Sequence, residues 1–440
     1  MHDLIRDNHP GPVDPANPGF RRWLEDGRTK ALVLARKAQT RADYWRSVHF
    51  YINGFRDGHL AVEEEAALPY VWPGFLTRTD ERGVTTVTES TVRGVPVGAV
   101  VHACDGVAVP RLLETRVHPF RTNADIPHER IYRASYLFVG IAGDRRQLRA
   151  CTVAAGGRRQ SVKLAWRSLP EDDLWSRLPA AQQRVIPELG LRTVGKTLFV
   201  SLPSFNWWGD GAARMQAMVD ALRARIDEVH RADRVVIDVR GNPGGNSAWG
   251  DKIAAILWGE EAARAVSDSF DGSVDWRTSA RNAEQTREAA NRSKAAGLKE
   301  DADYRFDVAA RMDAARARGE QLMPEAAPAK SAGLPADYRT PFAGKVFFLT
   351  DMRCASACLD FADLMRRMPG VTHIGQPTSA DAVYIDNVIA PLPSGLASLD
   401  YSLKVYRNRV RKNNEWYRPA KLWPGGRMTD TALAAWIETL

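Results

Sequence analysis

Ser356 lies where a predicted strand gives way to a predicted helix. The apolar run Val346–Leu349 is typical of a buried strand, and from Leu359 apolar residues recur at helical spacing until Pro369-Gly370 ends the pattern. The free N–H groups and the positive dipole end at a helix N-terminus can stabilise an oxyanion, which nucleophilic serine chemistry requires. Two interpretations of Ser356 are open here: a nucleophile, or a residue that only caps the helix.

A glycine-rich turn follows a second predicted strand, Val235–Val239, and also precedes a helical pattern. Its sequence is Arg240-Gly241-Asn242-Pro243-Gly244-Gly245-Asn246. A Gly-Gly pair lets a turn expose its backbone N–H groups without a Cβ in the way. The turn lacks the Lys-Ser/Thr ending of a nucleotide-binding loop, so it does not predict ATP or GTP binding.

Taken together, these two segments resemble the S41 peptidase family, which includes tail-specific proteases, tricorn and chlamydial protease-like enzymes. One segment ends in Asp-Val-Arg-Gly-Asn-Pro-Gly-Gly and the later one in Thr-Asp-x-x-Cys-Ala-Ser-Ala. A third segment, Asp57-Gly58-His59, is similar to the one that carries the catalytic histidine in the tricorn-like branch. The three segments follow the order of the family. The resemblance implies a serine peptidase that acts on peptide or protein substrates through an acyl-enzyme.

The resemblance also implies roles for individual residues. Ser356 would be the nucleophile and His59 the general base, and a glutamate well after the serine would orient the histidine. Glu415, 59 positions after Ser356, is similar in placement to that glutamate. The predicted oxyanion hole consists of the N–H groups of Ala357 and of Gly244 or Gly245.

The chain departs from the tail-specific proteases at the position of their catalytic lysine. Tail-specific proteases use a catalytic serine–lysine dyad, and in this chain Asp381 stands at the position of that lysine. A carboxylate cannot replace a neutral amine as the base, so the dyad is not expected. Lys404 is a possible substitute, but the alternation of its predicted strand favours a solvent-facing side chain. Two other functions stay open: a catalytically inactive binding protein with the S41 fold, or a hydrolase of small esters or amides.

The order of the predicted elements divides the chain into three regions of an α/β multidomain protein. Residues 1–65 are predicted to be helical and to carry the histidine segment. Residues 66–182 are rich in short strands, and residues 183–440 alternate strands and helices. The resemblance implies a PDZ-like domain for the second region and a ClpP/crotonase-like catalytic domain for the third.

The middle region contains four predicted β pieces and an Asp105-Gly106 turn. A strand that leads to an Asp-Gly turn resembles the PDZ pattern, in which peptide ends bind by strand addition, but an ordinary hairpin has the same signal. The predicted β pieces are Thr85–Thr88, Val100–Ala103, Ser135–Val139 and Ser161–Trp166.

Two further segments leave alternatives open. Residues 266–335 form a polar insert rich in Ala, Arg and Glu, which predicts a surface helical hairpin or, functionally, a lid over the site. His49 is a rival of His59, but its place between Val48 and Phe50 in a helical pattern favours a packing role.

The amino-acid composition limits the kinds of partner that the chain is expected to bind. The 440 residues carry a formal charge of +8, with 61 basic and 53 acidic residues. Because the basic residues are interleaved with acids outside Arg407–Lys412, a solvated surface is favoured over a nucleic-acid interface. No apolar run is long enough to span a bilayer. We expect no metal and no cofactor; the cysteine spacings do not match a zinc site.

The four cysteines and the N-terminus bear on localisation. Buried free thiols are the favoured interpretation, although Cys104 and Cys151 could form a bridge in an oxidising compartment. Cys354 and Cys358 flank Ser356 as an i, i+4 pair. The chain as given starts without the basic and apolar segments of a signal peptide. Members of the resembled family are commonly exported, so the resemblance implies a periplasmic or secreted protein in a mature or trimmed form.

Overall fold

The computed structural model describes residues 1–66, 68–123, 125–207, 209–269, 272–325 and 331–440. Within them, strands form three large sheets and one small sheet, with helices packed around them. The predicted α/β multidomain class is confirmed at this level. None of the helices in the described parts of the chain combines the length and the apolar composition needed to cross a bilayer.

The N-terminal region is helical, as predicted. Two of its helices are capped by side chains: the side-chain oxygens of Asn17 and Thr40 accept the N–H groups of Phe20 and Asp43. The elements are α1 (His2–Asn8), a 3-10 helix (Gly11–Val13), α2 (Pro18–Arg36), α3 (Arg41–Asn53) and β1 (Ala61–Glu64).

The middle region is built on an antiparallel sheet of order β3-β4-β5-β8-β9, with β6 beside β5, and a small sheet of order β10-β2-β7. Asp105 and Gly106 form the predicted turn, both with positive φ. The elements are β2 (Tyr70–Trp72), β3 (Phe75–Thr79), β4 (Thr85–Ser90), β5 (Val100–Cys104), β6 (Val107–Ala108), α4 (Val109–Arg116), α5 (His118–Arg121), α6 (Pro127–Arg133), a 3-10 helix (Ala134–Phe138), β7 (Gly140–Ile141), β8 (Ala150–Ala155), β9 (Arg158–Lys163), β10 (Arg167–Ser168) and α7 (Glu171–Ala181).

One predicted β piece of this region is wrong. Ser135–Val139 is almost entirely a 3-10 helix, and its side chains from Ser135 to Phe138 are buried. Phe138 packs against Phe75 of β3, with 4.7 Å between ring centroids. A short continuous apolar run is compatible with any buried element, so its composition did not distinguish a strand from a buried turn of helix.

The C-terminal region alternates strands and helices. Its elements are β11 (Gly190–Val194), β12 (Thr197–Ser201), α8 (Asp210–Ala224), α9 (Ile226–Arg231), β13 (Arg234–Asp238), α10 (Ala248–Trp258), α11 (Glu260–Ser267), β14 (Ser273–Arg277), α12 (Ala280–Ala295), α13 (Lys299–Ala317), β15 (Leu322–Glu325), β16 (Lys345–Thr350), α14 (Ala357–Met365), β17 (Val371–Gly375), β18 (Tyr384–Pro391), β19 (Ala397–Arg407), β20 (Lys421–Leu422) and α15 (Asp430–Ile437).

A six-stranded sheet, in the order β11-β12-β13-β16-β17-β20, forms the centre of this region. Its strands are parallel from β12 to β20. Strand alternation sends Ile237 and Phe348 into a core with α8, α10 and α14, whereas Val236 and Phe347 pack towards α15. Burial on both faces explains why the strands are almost continuously apolar. Because β13 and β16 are parallel neighbours, the turns that follow them emerge at the same edge of the sheet.

A five-stranded antiparallel sheet connects the N-terminal region to the rest of the chain. Strand β19 pairs with β1, β14 and β18, and β14 also pairs with β15. In the β1–β19 pairing, Ala61 lies opposite Asp400. Phe20 and Tyr51 of the N-terminal helices share one core cluster with Trp276 and Tyr401. The segment that carries His59 is therefore held by packing against the C-terminal region.

Candidate active site

Ser356 occupies the N-cap position of α14 with a strained backbone. Its φ is +53°, a left-handed conformation that a non-glycine residue rarely adopts. Its side chain makes no capping hydrogen bond to the helix. Instead, its Oγ lies 3.1 Å from Nε2 of His59. The capping interpretation therefore does not describe Ser356, because its hydroxyl points away from the helix N–H groups and contacts the histidine.

The two motif turns are joined by Asp351, which directly follows β16. Its Oδ2 accepts the N–H of Gly241 at 3.0 Å, and its Oδ1 accepts the N–H of Arg353 at 2.9 Å. The side chain is buried, and burial raises the pKa of its carboxyl despite the nearby charges of Arg184 and Arg353. One carboxyl group thus fixes the glycine turn beside the serine turn.

A second group of charged side chains, centred on Arg240, holds the glycine turn in place. The fully buried guanidinium of Arg240 donates to Asp238 at 2.8 Å and to Asp430 at 2.6 Å. Asp430 begins α15, so this contact ties the turn to the last helix of the chain. A fully buried arginine that donates to two carboxylates gives the turn little freedom to move.

Gly244 approaches the serine so closely that no side chain fits. A Cβ at this position would lie 2.7 Å from the Cβ of Ser356 and 2.6 Å from the carbonyl oxygen of Ala355. Its φ of +99° also favours glycine. The backbone of the glycine turn therefore lies directly against the turn that carries Ser356.

The predicted oxyanion-hole residues differ in what their N–H groups do. The N–H of Gly244 donates to Oδ1 of Asn242 at 2.9 Å, so it is already used within the turn. The N–H groups of Gly245 and Ala357 have no acceptor among the described residues. These two are the donors that remain for a ligand oxygen, and Gly244 contributes close packing.

All four cysteines are disulfide-bonded, which corrects the expectation of buried free thiols. Cys104 pairs with Cys151 across β5 and β8, which the β register places directly opposite each other. Cys354 pairs with Cys358, and this bridge encloses Ser356 in a loop with a sequence separation of 4. Both sulfurs of the second bridge lie in side chains with 0% exposure. Burial alone predicts a thiol and a disulfide equally well, so pairing depended on distances that the sequence does not give.

The backbone of His59 is held from both sides. Its N–H donates to Oδ1 of Asp57 at 2.9 Å, and its carbonyl accepts Nδ2–H of Asn387 at 2.8 Å. The other oxygen of Asp57 lies 3.0 Å from Nε2 of His9, which is fully buried. Because Nδ1 of His9 accepts the N–H of Gly11, Nε2 of His9 carries the proton that it donates to Asp57.

The second ring nitrogen of His59, Nδ1, has no hydrogen-bond partner in the described structure. If Nε2 accepts the Ser356 hydroxyl, Nδ1 must carry a proton, yet Nδ1 is buried and unpaired. Asp400 also has a buried oxygen, Oδ1, without a partner. Burial raises the pKa of the Asp400 carboxyl, whereas the neighbouring Asn387 and His59 lower it. Asp400 is thus a nearby carboxyl that sequence analysis missed, because its position depends on the register of β1 with β19.

The other residues singled out by the sequence lie elsewhere. Glu415 accepts the N–H of Lys412 at 2.7 Å and forms no hydrogen bond with His59 in the described structure, so its predicted role stays a prediction. Asp381 pairs with Arg409 at 3.0 Å and with Arg411 at 3.3 Å. Lys404 is not solvent-facing as expected: it pairs with Asp386 and lies 4.0 Å above the Trp276 ring.

A cavity of about 600 Å³ opens beside the Ser356–His59 pair. Gly58, Pro243 and Ala355 line it, and these residues are neighbours of the histidine, the glycine turn and the serine. His49 also lines it and lies 3.1 Å from Glu64, so it is more than a packing residue. Within the described chain, no group of histidine, cysteine or acidic side chains is arranged to hold a metal ion.

The insert packs away from this cavity. Its helices α12 and α13 form the predicted hairpin, and Asn282 of α12 donates to the carbonyl of Asn8 and accepts from Tyr401. None of the described residues between 266 and 335 lines the cavity; residues 270–271 and 326–330 of the insert lie outside the described structure. The hairpin thus supports the N-terminal region, and the predicted lid role stays untested.

Comparison with known proteins gives a family match and a fold. Residues 196–413 match the model of peptidase family S41, and curated proteins give no match. The structure of mature CPAF complexed with lactacystin is similar over 100% of this chain and 94% of that chain, with a TM-score of 0.65 at 13% identity. Mature CPAF alone covers 96% and 90%, with a TM-score of 0.64 at 13% identity. At this identity the likeness shows a shared fold.

Proposed function

The chain belongs, through residues 196–413, to peptidase family S41, a family of serine peptidases, and from that premise we propose that it hydrolyses peptide bonds through an acyl-enzyme on Ser356. In this proposal, Oγ of Ser356 attacks the substrate carbonyl while Nε2 of His59 takes its proton. His59 then returns the proton to the leaving amine, and a water molecule hydrolyses the ester.

One observation carries the proposal: the distance of 3.1 Å between Oγ of Ser356 and Nε2 of His59. This contact joins residues that are 297 positions apart, and the serine that forms it has a strained backbone with a positive φ. Capping does not account for Ser356, because its side chain makes no hydrogen bond to its own helix and its hydroxyl contacts the histidine instead.

The free N–H groups of Ala357 and Gly245 are our proposed donors to the developing oxyanion. They belong to the two turns that Asp351 joins, so their relative position is fixed before substrate binds. Removing one such donor typically costs about 3–4 kcal/mol of transition-state stabilisation in enzymes of this chemical type. Gly244 would serve this hole by letting the two backbones approach.

Two carboxyl groups compete for the third role, which is to orient His59. Glu415 has the sequence placement that the family resemblance implies, and Asp400 has a buried unpaired oxygen near a histidine with a buried unpaired nitrogen. We favour Asp400 for direct support, because Glu415 is engaged by the N–H of Lys412. The experiment below separates them.

Finer features of the protein extend the proposal. Helix α4, which follows the Asp105-Gly106 hairpin, supports a PDZ-like middle region that would bind peptide ends by strand addition. The parallel sheet that carries both motif turns supports a ClpP/crotonase-like catalytic domain. Two disulfides support a periplasmic or secreted protein, since reducing compartments rarely preserve them.

The test is labelling with a fluorophosphonate probe, which reacts with activated serines. We expect the parent to be labelled and Ser356→Ala to lose labelling completely. His59→Ala should react at least about 100-fold more slowly than the parent. Asp400→Asn and Glu415→Gln are compared in the same assay, and the slower of the two identifies the residue that supports His59.

The matched control is Ser247→Ala, because Ser247 is also an N-cap serine without a capping hydrogen bond and precedes α10 near the glycine turn. It should be labelled like the parent. A folded parent that takes up no probe would contradict the proposed chemistry and would favour a binding protein with this fold. Hydrolysis of peptides, compared with small esters, then tests the substrate class.

A further inference from the structure

The cavity beside Ser356 carries an excess of positive charge. Four arginines line it, together with two acidic residues, Asp57 and Glu129. The acids are already committed: Asp57 binds His9 and the N–H of His59, and Glu129 binds Arg133 and the N–H of Asn123. The lining arginines are Arg56, Arg121, Arg133 and Arg353.

Two of these arginines have no carboxylate partner among the described residues. Arg56 pairs with Asp125 at 2.7 Å and Arg133 with Glu129 at 3.3 Å, whereas Arg121 lies 4.4 Å above the ring of Tyr136 and forms no ion pair. Arg353 is half-buried, and its Nε is buried without a hydrogen-bond acceptor. A buried guanidinium donor left unpaired is costly, so water or a ligand must supply the acceptor, and the position of Arg353 on the cavity wall lets a bound ligand do so.

The position of Arg353 connects this charge to catalysis. It lies three residues before Ser356, in the turn that Asp351 fixes through the N–H of Arg353 itself. The charges of Asp351 and Arg353 interact, but the two side chains form no ion pair in the described structure, and the carboxyl oxygens of Asp351 accept backbone N–H groups. A substrate whose scissile carbonyl reaches Ser356 would therefore place its adjacent side chains at the mouth of an arginine-lined cavity.

We infer that the cavity binds an acidic side chain, aspartate or glutamate, of a peptide substrate close to the scissile bond, with Arg353 as the principal contact and Arg121 as the second. This inference rests on the proposed peptidase function. Guanidinium groups bind carboxylates with paired donors, and that geometry rejects amides and amines of similar size. The peptide's own terminal carboxylate has the same chemistry, so the experiment must separate the two sources.

The test uses quenched fluorescent peptides that differ at one position, with both ends blocked, and that carry Asp, Asn, Ala or Lys there. We expect kcat/KM for the Asp peptide to exceed that for the Asn peptide by at least about tenfold, the value of one charged hydrogen bond. In Arg353→Gln this Asp/Asn ratio should fall to about 2 or less, while Arg353→Lys should keep part of it. Arg353→Glu should reverse the preference towards the Lys peptide.

Several features make the result decisive. Each ratio is measured within one variant, so a general loss of activity cancels. Arg121→Gln gives a second test if Arg353→Gln fails to fold, and Arg316→Gln, on the exposed surface of α13, is the control. A peptide with neutral side chains and a free C-terminus tests the other carboxylate source; a preference for it over the blocked Asp peptide would overturn the inference. An equal rate for Asp and Asn peptides in a parent that reacts with fluorophosphonate would also overturn it, whereas absence of that reaction refutes the proposed function instead.

Discussion

The two halves of the candidate site are held by different means. The serine half is held locally: the strained Ser356, the disulfide Cys354–Cys358 and the carboxyl of Asp351 all lie within eight residues of sequence, 351–358. The histidine half is held by distant segments, since Asp57 depends on His9 and the carbonyl of His59 on Asn387. Substitutions in the serine half should therefore act mainly on reactivity, and those in the histidine half on reactivity and stability together.

The largest effect is expected from Gly244→Ala. The new Cβ would overlap the turn that carries Ser356, at 2.6 Å from the carbonyl oxygen of Ala355, so Ser356 must shift. We expect the fluorophosphonate reaction to slow by about 100-fold or more, since a displacement of about 1 Å at a reacting group has that effect. Gly98→Ala is the control, because Gly98 has a φ of +89° but open space around it. Equal labelling of both variants would show that the close approach is dispensable.

Asp57→Ala should be next, and it tests the histidine half. The change leaves the N–H of His9 buried without its acceptor and frees the His59 loop, so we expect a loss of about 2–3 kcal/mol in the free energy of unfolding. Labelling should slow by roughly tenfold to a hundredfold as well. Urea unfolding and labelling are measured together. Asp80→Ala removes a similar carboxyl that holds an exposed turn of the middle region, and it should change neither quantity by much. A fully stable Asp57 variant would disprove the long-range support.

The two disulfides sharpen the comparison further. Loop-closure entropy predicts that the Cys354–Cys358 bridge contributes on the order of 2 kcal/mol and the Cys104–Cys151 bridge about 4 kcal/mol, because their sequence separations are 4 and 47. The rate of fluorophosphonate labelling should depend on the two bridges in the reverse order, with the short bridge mattering more. Replacing both cysteines of the short bridge by alanine should slow labelling about tenfold, while the same change in the long bridge should lower the unfolding midpoint and leave labelling unaltered. Identical labelling rates would mean that the short bridge does not position the serine.

The last prediction concerns the pH dependence of stability, which depends on His373, a buried histidine in the sheet that supports Ser356. Burial lowers the pKa of His373 to about 3, and its Nε2 is 2.9 Å from Oγ1 of Thr350. A histidine whose pKa is lowered by folding stabilises the fold above its unfolded pKa, near 6.5, and loses that contribution as the pH falls. Between pH 7.5 and 5 we expect the free energy of unfolding of the parent to fall by about 2 kcal/mol more than that of His373→Gln. Parallel pH profiles of the two proteins would refute this.

Sequence patterns predicted the strands, helix and turns of the serine half, because their signals are local, but not its disulfide or the contacts of Asp351. The strands before both motif turns, the helix after Ser356 and the glycine requirement at Gly244 all follow from residue types at short spacing. Family resemblance supplied the histidine half, which lies outside the residues 196–413 that match the family model. Nothing around His59 alone distinguishes it from any histidine after a helix.

The remaining features depended on three-dimensional pairing. Asp400 was missed because only the register of β1 with β19 brings it to the His59 loop. The unpaired Arg353 was missed because a lone arginine in a sequence does not show whether a carboxylate reaches it. Glu415 was chosen by its placement in sequence alone, and because it forms no hydrogen bond with His59 in the described structure, its role stays a prediction.

The separation of 297 residues between His59 and Ser356 also sets an order in time. Chains are synthesised from the N-terminus, so a nascent chain contains His9, Asp57 and His59 long before it contains Ser356. Asn387 and Asp430, which complete the supports of the two turns, are made later still. In the mechanism that we propose, a chain released by the ribosome before residue 356 would carry the histidine but no nucleophile, so the site cannot form until both segments have been synthesised.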